Sequence, residues 1–71
     1  MSERELLIEK LIDEAELTVG CWGEDKQKQF IDYAESYIND WYRADYNLTD
    51  DEITWIADMT VDFIKEWYND I

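Results

Sequence analysis

Apolar residues recur at helical spacing along most of the chain, and the clearest pattern covers its last third. With about 100° between successive residues, one side of a helix there collects the apolar side chains. They are Ile53, Ile56, Ala57, Thr60, Phe63, Ile64, Trp67 and Tyr68. Thr49, with Glu52 three residues later, forms the pattern of a capping box that opens this helix. We therefore predict a helix over residues 50–69, around which the rest of the chain is organised.

Two more helical patterns precede this one. Ser2 with Glu5 repeats the capping box and opens a predicted helix over residues 3–17, with Gly20 as its expected C-terminal cap. Its apolar side contains Leu7, Ile8, Leu11, Ile12, Ala15 and Val19. A second helix is predicted over residues 24–46, with Phe30, Tyr33, Ala34, Tyr37, Ile38, Trp41 and Ala44 on its apolar side. Three amphipathic helices with short connections predict an all-α three-helix bundle, with residues 1–71 as one domain.

The length and the cysteine content indicate how the fold is stabilised and in which compartment the protein is expected. A chain of 71 residues is near the size at which one core only just suffices, so we expect its four Trp, five Tyr and two Phe to supply much of the packing. Cys21 is the only cysteine, which excludes a disulfide framework. With no signal peptide and no stretch of membrane-spanning length, the sequence predicts a cytoplasmic protein without membrane contact.

The net charge is far outside the ordinary range for so small a protein. Nineteen acidic residues accompany six basic ones and no histidine, which gives a formal net charge of −13. A magnitude of roughly 2–8 serves solubility in a small domain, so the surplus suggests that the charge itself is used against a basic partner. Direct binding of nucleic acid is disfavoured, because phosphate contacts need Lys and Arg.

The outward side of the last predicted helix is the best candidate for a binding surface. It carries Asp51, Trp55, Asp58, Met59, Asp62 and Glu66. Asp58, Asp62 and Glu66 follow one another at i,i+4, about 6 Å apart, and Asp51 extends this acidic row. Like charges at that spacing cost the helix roughly 0.2–0.5 kcal/mol per pair. The row is therefore either a solvated face or an imitation of nucleic-acid phosphates offered to a basic groove. Trp55 is either an interface anchor or is covered, by the loop around Trp22 or by the edge of a neighbouring helix.

Catalytic and metal chemistry find little support in the sequence. The absence of histidine excludes histidine triads, and Cys21 has no histidine to activate it. Acid–base work by paired carboxylates needs a pocket, which so small a bundle seldom has, so we expect no enzyme. Residues 45–51 resemble a calcium loop at its first positions, but Asp50 replaces the required glycine and Ile56 the closing Glu. We expect no metal and no cofactor.

These observations predict an acidic protein-binding module that acts as a nucleic-acid-mimic inhibitor of a nucleic-acid-binding protein or nuclease. In size and charge the chain resembles small acidic phage proteins such as anti-restriction and anti-CRISPR inhibitors, and also acidic helical immunity proteins. No motif of those families carries the resemblance. The alternative is a structural or regulatory adaptor, or a homodimer, that binds through apolar surface at Leu6, Leu17 and Trp22. The two differ in salt dependence, because only the electrostatic contact weakens steeply as salt rises.

Overall fold

A computed structural model describes residues 2–69, apart from the side chains of residues 68 and 69, and within this part of the chain all regular structure is helical. The first helix, α1, spans Glu3–Gly20, and the last, α3, spans Asp50–Asn69. Between them, α2 spans Glu24–Ile38 and continues directly into a π-helical segment, Asn39–Arg43, and a last helical turn, Ala44–Tyr46. The predicted three-helix bundle is confirmed.

The last helix is the centre of the bundle. It packs against both α1 and α2, which contact each other much less. All three helices and the α2–α3 connection contribute to one buried apolar core, made of Ile8, Leu11, Ile12, Ala15, Val19, Phe30, Ala34, Ile38, Leu48, Ile53, Ile56, Ala57 and Ile64. The organisation of the chain around its last third, expected from the apolar pattern, matches this arrangement.

The start of α3 follows the predicted capping chemistry in full, whereas the start of α1 shows only the Ser2 side-chain bond of the predicted box. In α1 the amide of Glu5 donates to Ser2 Oγ at 3.1 Å. In α3 the capping box is complete, because the amide of Glu52 donates to Thr49 Oγ1 at 3.2 Å and the amide of Thr49 donates to Glu52 Oε1 at 2.9 Å. Local hydrogen bonds therefore fix both helix starts, independently of the core.

The end of α1 differs from the prediction. The helix continues past Leu17 to Gly20, and Cys21 holds the C-cap position with right-handed backbone angles. The expectation that Gly20 caps the helix is therefore wrong. A Cβ at Gly20 would lie 3.1 Å from Trp67 Cη2, so the glycine allows the close approach of that indole. Trp67 itself, predicted as a core position, stays 46% exposed, and the Tyr68 side chain lies outside the described residues.

The buried side of α2 also differs from the predicted one. It is formed by Gln27, Phe30, Ala34 and Ile38 and is centred on Ala34, so that Tyr33 falls beyond its edge. Tyr33 is 60% exposed, and its non-helical backbone angles of φ −129° and ψ 28° kink the helix. Ala44 is exposed as well, because it follows the wider π-helical turn, which shifts the register of later residues.

Four aromatic residues join the α1–α2 loop to α2. This aromatic cluster consists of Trp22, Phe30, Tyr37 and Trp41, and every pair of rings in it has centroids 5.5–6.0 Å apart. The edge-to-face contacts of Trp22 with the other three rings are the geometry that aromatic pairs favour. Trp22 is therefore half-buried against α2 and is not the cover for Trp55 that the sequence allowed.

Arg4 fastens the start of α1 to the α2–α3 connection. Its Nε donates to Glu52 Oε2 at 2.7 Å and its Nη2 to Glu52 Oε1 at 2.8 Å. The same guanidinium also donates to the carbonyl oxygens of Tyr46 and Asn47, each at 3.1 Å. Asn47 takes the left-handed conformation that turns the chain into α3. The hydrogen bonds from Arg4, followed by that from the Thr49 amide, lower the pKa of Glu52 to about 2.

Candidate partner-binding surface

The outer side of α3 carries the predicted surface residues, and all of them are exposed: Asp51, Trp55, Asp58, Met59, Asp62 and Glu66. Trp55 is 37% exposed and Met59 is 45% exposed, although both are large apolar side chains. The structure thus places these residues outside the core, as the apolar pattern indicated. Their role in binding stays a prediction.

The acidic row on α3 is inclined across the helix rather than parallel to its axis. Four residues advance a helix by about 400°, so each i,i+4 step rotates the side chain by about 40°. At one end, Asp58 lines a groove shared with α2. At the other end, Glu66 lies close enough to Glu16 of α1 to influence its pKa. The row therefore runs from the α2 side of α3 to the α1 side, with Asp62 between.

A groove between α1 and α3 brings acidic and apolar side chains together. It has a volume of about 300 Å³ and is lined by Glu9, Ile12, Asp13, Glu16, Trp55 and Met59. We call it the α1–α3 groove. Helix α1 supplies the three carboxylates, whereas α3 supplies the indole and the thioether. The groove therefore combines an apolar contact surface with negative charge at its edge.

The carboxylates around this groove repel one another. Burial, followed by the negative charges of Asp13 and Glu66, raises the pKa of Glu16 above its ordinary value. Burial makes the largest contribution to this shift, and one acidic residue each from α1 and α3 adds to it. Negative potential is therefore concentrated where the C-terminal half of α1 meets the C-terminal part of α3, and a cation placed there would relieve the repulsion.

The sequence alone did not assign the α1 carboxylates to the site. The sequence does place Glu9, Asp13 and Glu16 on one flank of α1. Asp13 follows Glu9 by four positions and Glu16 follows Asp13 by three, and side chains at these spacings are neighbours on a helix. What the sequence could not show is that this flank faces Trp55 and Met59, since that depends on how α1 is rotated about its axis against α3. The candidate surface thus extends over two helices, whereas the prediction placed it on one.

A second and larger groove lies between α2 and α3, but polar contacts cross it. It has a volume of about 600 Å³ and is lined in part by the π-helical segment. Arg43 Nη1 lies 2.8 Å from Asp50 Oδ1, and the hydroxyl of Thr54 donates to Glu35 Oε1 at 3.2 Å. Because these side chains already form hydrogen bonds and an ion pair within the protein, this groove offers a partner fewer unpaired polar groups than the α1–α3 groove does.

Residues 45–51, which resemble a calcium loop, form a turn and a helix cap. Asn47 makes the left-handed turn, and Thr49 uses its hydroxyl to cap α3. Across the described part of the chain, no group of three or more His, Cys, Asp or Glu side chains is arranged to hold a metal ion. In the same residues, no helix has the length and apolar character required to cross a membrane. Cys21 is a free, exposed thiol.

Comparison of the chain with protein families, curated proteins and solved structures finds no match. Any functional assignment therefore rests on the chemistry of the surface itself.

Proposed function

We propose that this protein binds a basic surface of a partner protein and competes there with nucleic acid. The observation that supports this most is the meeting of two acidic helix faces around an exposed indole in the α1–α3 groove. A basic protein surface that holds nucleic acid offers the complementary chemistry, because it presents Lys and Arg for phosphate contacts. The role is one of binding and inhibition rather than catalysis.

The distribution of charge favours an electrostatic role. Arg4, Lys28 and Arg43 each form an ion pair with an acidic residue of the same chain. The basic residues thus serve in part to stabilise the fold, whereas the large acidic surplus faces solvent. A net charge of −13 on 71 residues creates a field that speeds the encounter with a cationic partner.

The inclined acidic row suits a phosphate mimic. Asp58, Asp62 and Glu66 are separated by about 6 Å along the axis of α3, so the row presents negative charges at regular intervals, as the phosphates of a nucleic-acid strand do. Because each step also rotates by about 40°, the carboxylates follow a curved path, as phosphates do around a duplex. The repulsion along such a row opposes helix stability, so a partner that neutralises it would recover that free energy.

Charge reversal tests the proposal. A partner is first captured from cell extract at low salt, identified by mass spectrometry, and tested for displacement by nucleic acid. The variant with Asp58, Asp62 and Glu66 changed to Lys should lose binding, mainly through a slower association rate, while its melting temperature stays close to that of the wild type. Trp55→Ala should act chiefly by speeding dissociation.

A matched control separates the surface from the overall charge. Reversal of three exposed acidic residues on the α2 side, Asp25, Asp40 and Asp45, changes the net charge by the same amount. Binding should then weaken much less than with the α3 triple variant. Equal loss in both variants would mean that only the net charge matters, and undiminished binding by the folded α3 variant would refute the proposal.

An adaptor role is the second candidate, and exposed leucines favour it. Leu6 and Leu17 both point away from the core, on the same side of α1 and about 16 Å apart along its axis. Trp22, the third residue considered for this role, is half-buried in the aromatic cluster. An apolar contact through the leucines would resist high salt and would be weakened by Leu6→Ser with Leu17→Ser rather than by charge reversal.

A further inference from the structure

The α1–α3 groove combines apolar and acidic side chains in one surface. Trp55 and Met59 supply an indole and a thioether that solvent reaches, and Ile12 lies buried beside them. Glu9, Asp13 and Glu16 border these apolar groups on the α1 side. A ligand that fits must therefore be apolar along its length and positively charged at its end.

We propose that the α1–α3 groove seats an arginine side chain of the partner. Its methylene groups lie against Met59, and its guanidinium lies over the indole of Trp55, within reach of the α1 carboxylates. This inference rests on the proposed function, because it specifies how the basic partner is recognised at that same surface.

Arginine suits the groove better than lysine. The guanidinium is planar, is more weakly hydrated than an ammonium group and stacks on aromatic faces, so it can leave water for an indole surface. Its donors also reach carboxylates in pairs, and Asp13 and Glu16 supply acceptors from adjacent turns of α1. Lysine offers a compact, strongly hydrated charge that gains less from the ring.

The charges of the groove and of the whole chain oppose the other occupants. A purely apolar segment would strip water from three carboxylates without offering them a partner, which is costly. A second copy of this chain would bring another −13 to a surface that is already acidic. Burial raises the pKa of Glu16 most, and the negative charges of Asp13 and Glu66 add to the shift, so a cation in the groove would favour the ionised carboxylate.

Short peptides provide a direct test on the intact protein. An acetylated hexa-arginine peptide and the matched hexalysine peptide carry equal charge, so only the chemistry of the cation differs. They are titrated at low salt while the indole N–H signals of the four tryptophans are followed by NMR. The Trp55 signal should shift most, and hexa-arginine should bind about two- to five-fold more tightly than hexalysine.

A matched pair of variants then locates the preference. Trp55→Leu should reduce the arginine-to-lysine ratio to about one. Trp67→Leu removes another half-exposed indole of α3, packed on Gly20 outside the groove, and should keep the ratio. Melting curves confirm that both variants are folded before they are compared.

Each outcome decides the inference. Equal binding of the two peptides with an unmoved Trp55 signal would overturn the arginine seat and leave the electrostatic proposal standing. A lack of binding by either peptide at low salt would overturn both. If the Trp55 signal instead moves with protein concentration in the absence of peptide, a second copy occupies the groove and the arginine seat is wrong.

Discussion

Replacement of Gly20 by Ala tests whether the end of α1 is shaped by the indole of Trp67. Alanine favours a helix over glycine by about 1 kcal/mol in the interior and by less at the last residue, so a gain of about 0.5–1 kcal/mol is expected from the backbone alone. The new Cβ would lie 3.1 Å from Trp67 Cη2 and 3.8 Å from Cζ2. Carbon atoms prefer about 3.5–4.0 Å, so the indole must withdraw by about 0.4 Å.

Withdrawal of the ring offsets this gain. Trp67 is 46% exposed and stacks at a tilt on Phe63 with centroids 5.2 Å apart, so it can rotate outward but loses contact area. Exposure of about 30 Å² of apolar surface costs about 0.75 kcal/mol at 25 cal/mol per Å². Gly20→Ala should therefore change stability by less than about 0.5 kcal/mol when Trp67 is present. In a Trp67→Ala background it should stabilise by about 0.5–1 kcal/mol.

The double-mutant cycle is measured by urea unfolding at constant pH and salt. A coupling free energy of about 0.5–1 kcal/mol corresponds to a difference of roughly 2–8 °C in melting temperature for a domain of this size. Gly23→Ala is the control, because a Cβ at that position meets nothing within 4 Å and its effect should add to that of Trp67→Ala. If Gly20→Ala gives the same change with and without Trp67, the close approach does not explain the glycine.

Four further stability measurements follow from single sites. The pKa of Glu16 is raised, so the native state binds a proton there more readily than the unfolded state does, and stability should fall as pH rises above about 4.5. Glu16→Gln should therefore flatten that limb of a plot of melting temperature against pH. The pKa of Glu52 is lowered to about 2, so the stability that its carboxylate contributes should be lost as pH falls from 4.5 towards 2. Glu52→Gln should therefore flatten the acid limb of the same plot. An unchanged limb in either variant would contradict the direction of the pKa shift at that residue. Thr60→Val should be neutral or should raise the free energy of unfolding in urea by up to about 1 kcal/mol. The reason is that the buried hydroxyl donates only to the Ile56 carbonyl of its own helix, at 2.8 Å. A clear loss of stability would show that this hydrogen bond stabilises the fold. Trp22→Ala should cost about 2–3 kcal/mol, less than a fully buried Trp because the indole is half-exposed, and a loss below about 1 kcal/mol would mean that the aromatic cluster stabilises little.

Features that depend on neighbouring residues in the chain were predictable from the sequence. The N-cap bond at Ser2 and the capping box at Thr49 set the starts of α1 and α3, because their hydrogen bonds join residues three apart. The apolar sides of α1 and α3 were also predictable, since each follows the 3.6-residue period without interruption. These local signals suffice for the all-α class and for the outward position of Trp55.

Features that depend on contacts between distant segments were not predictable. The role of Gly20 depends on an indole 47 positions later in the chain. Nothing in the sequence of the π-helical segment marks its wider turn, within which Trp41 packs edge-to-face on Tyr42. The α1–α3 groove likewise depends on which flank of α1 faces α3, and an amphipathic pattern does not fix this rotation.

The bonds of Arg4 have a consequence for the order in which the protein folds. Arg4 and Glu52 are separated by 48 positions, whereas only residues 47–49 connect the end of α2 and its extension to α3. Closure of a long loop costs more entropy than closure of a short one, so contacts close in sequence tend to form first. The helical hairpin of α2 and α3 is therefore expected to assemble in the transition state, with α1 docking afterwards.

Stopped-flow kinetics can check this order. Arg4→Ala should speed unfolding and leave the folding rate nearly unchanged, because its bonds form after the barrier. Lys28→Ala, which removes an exposed i,i+4 pair with Glu24, is the control and should alter both rates little. A slower folding rate in the Arg4 variant would place the docking of α1 before the barrier. Otherwise Arg4 sets the lifetime of the native state rather than the speed with which it forms.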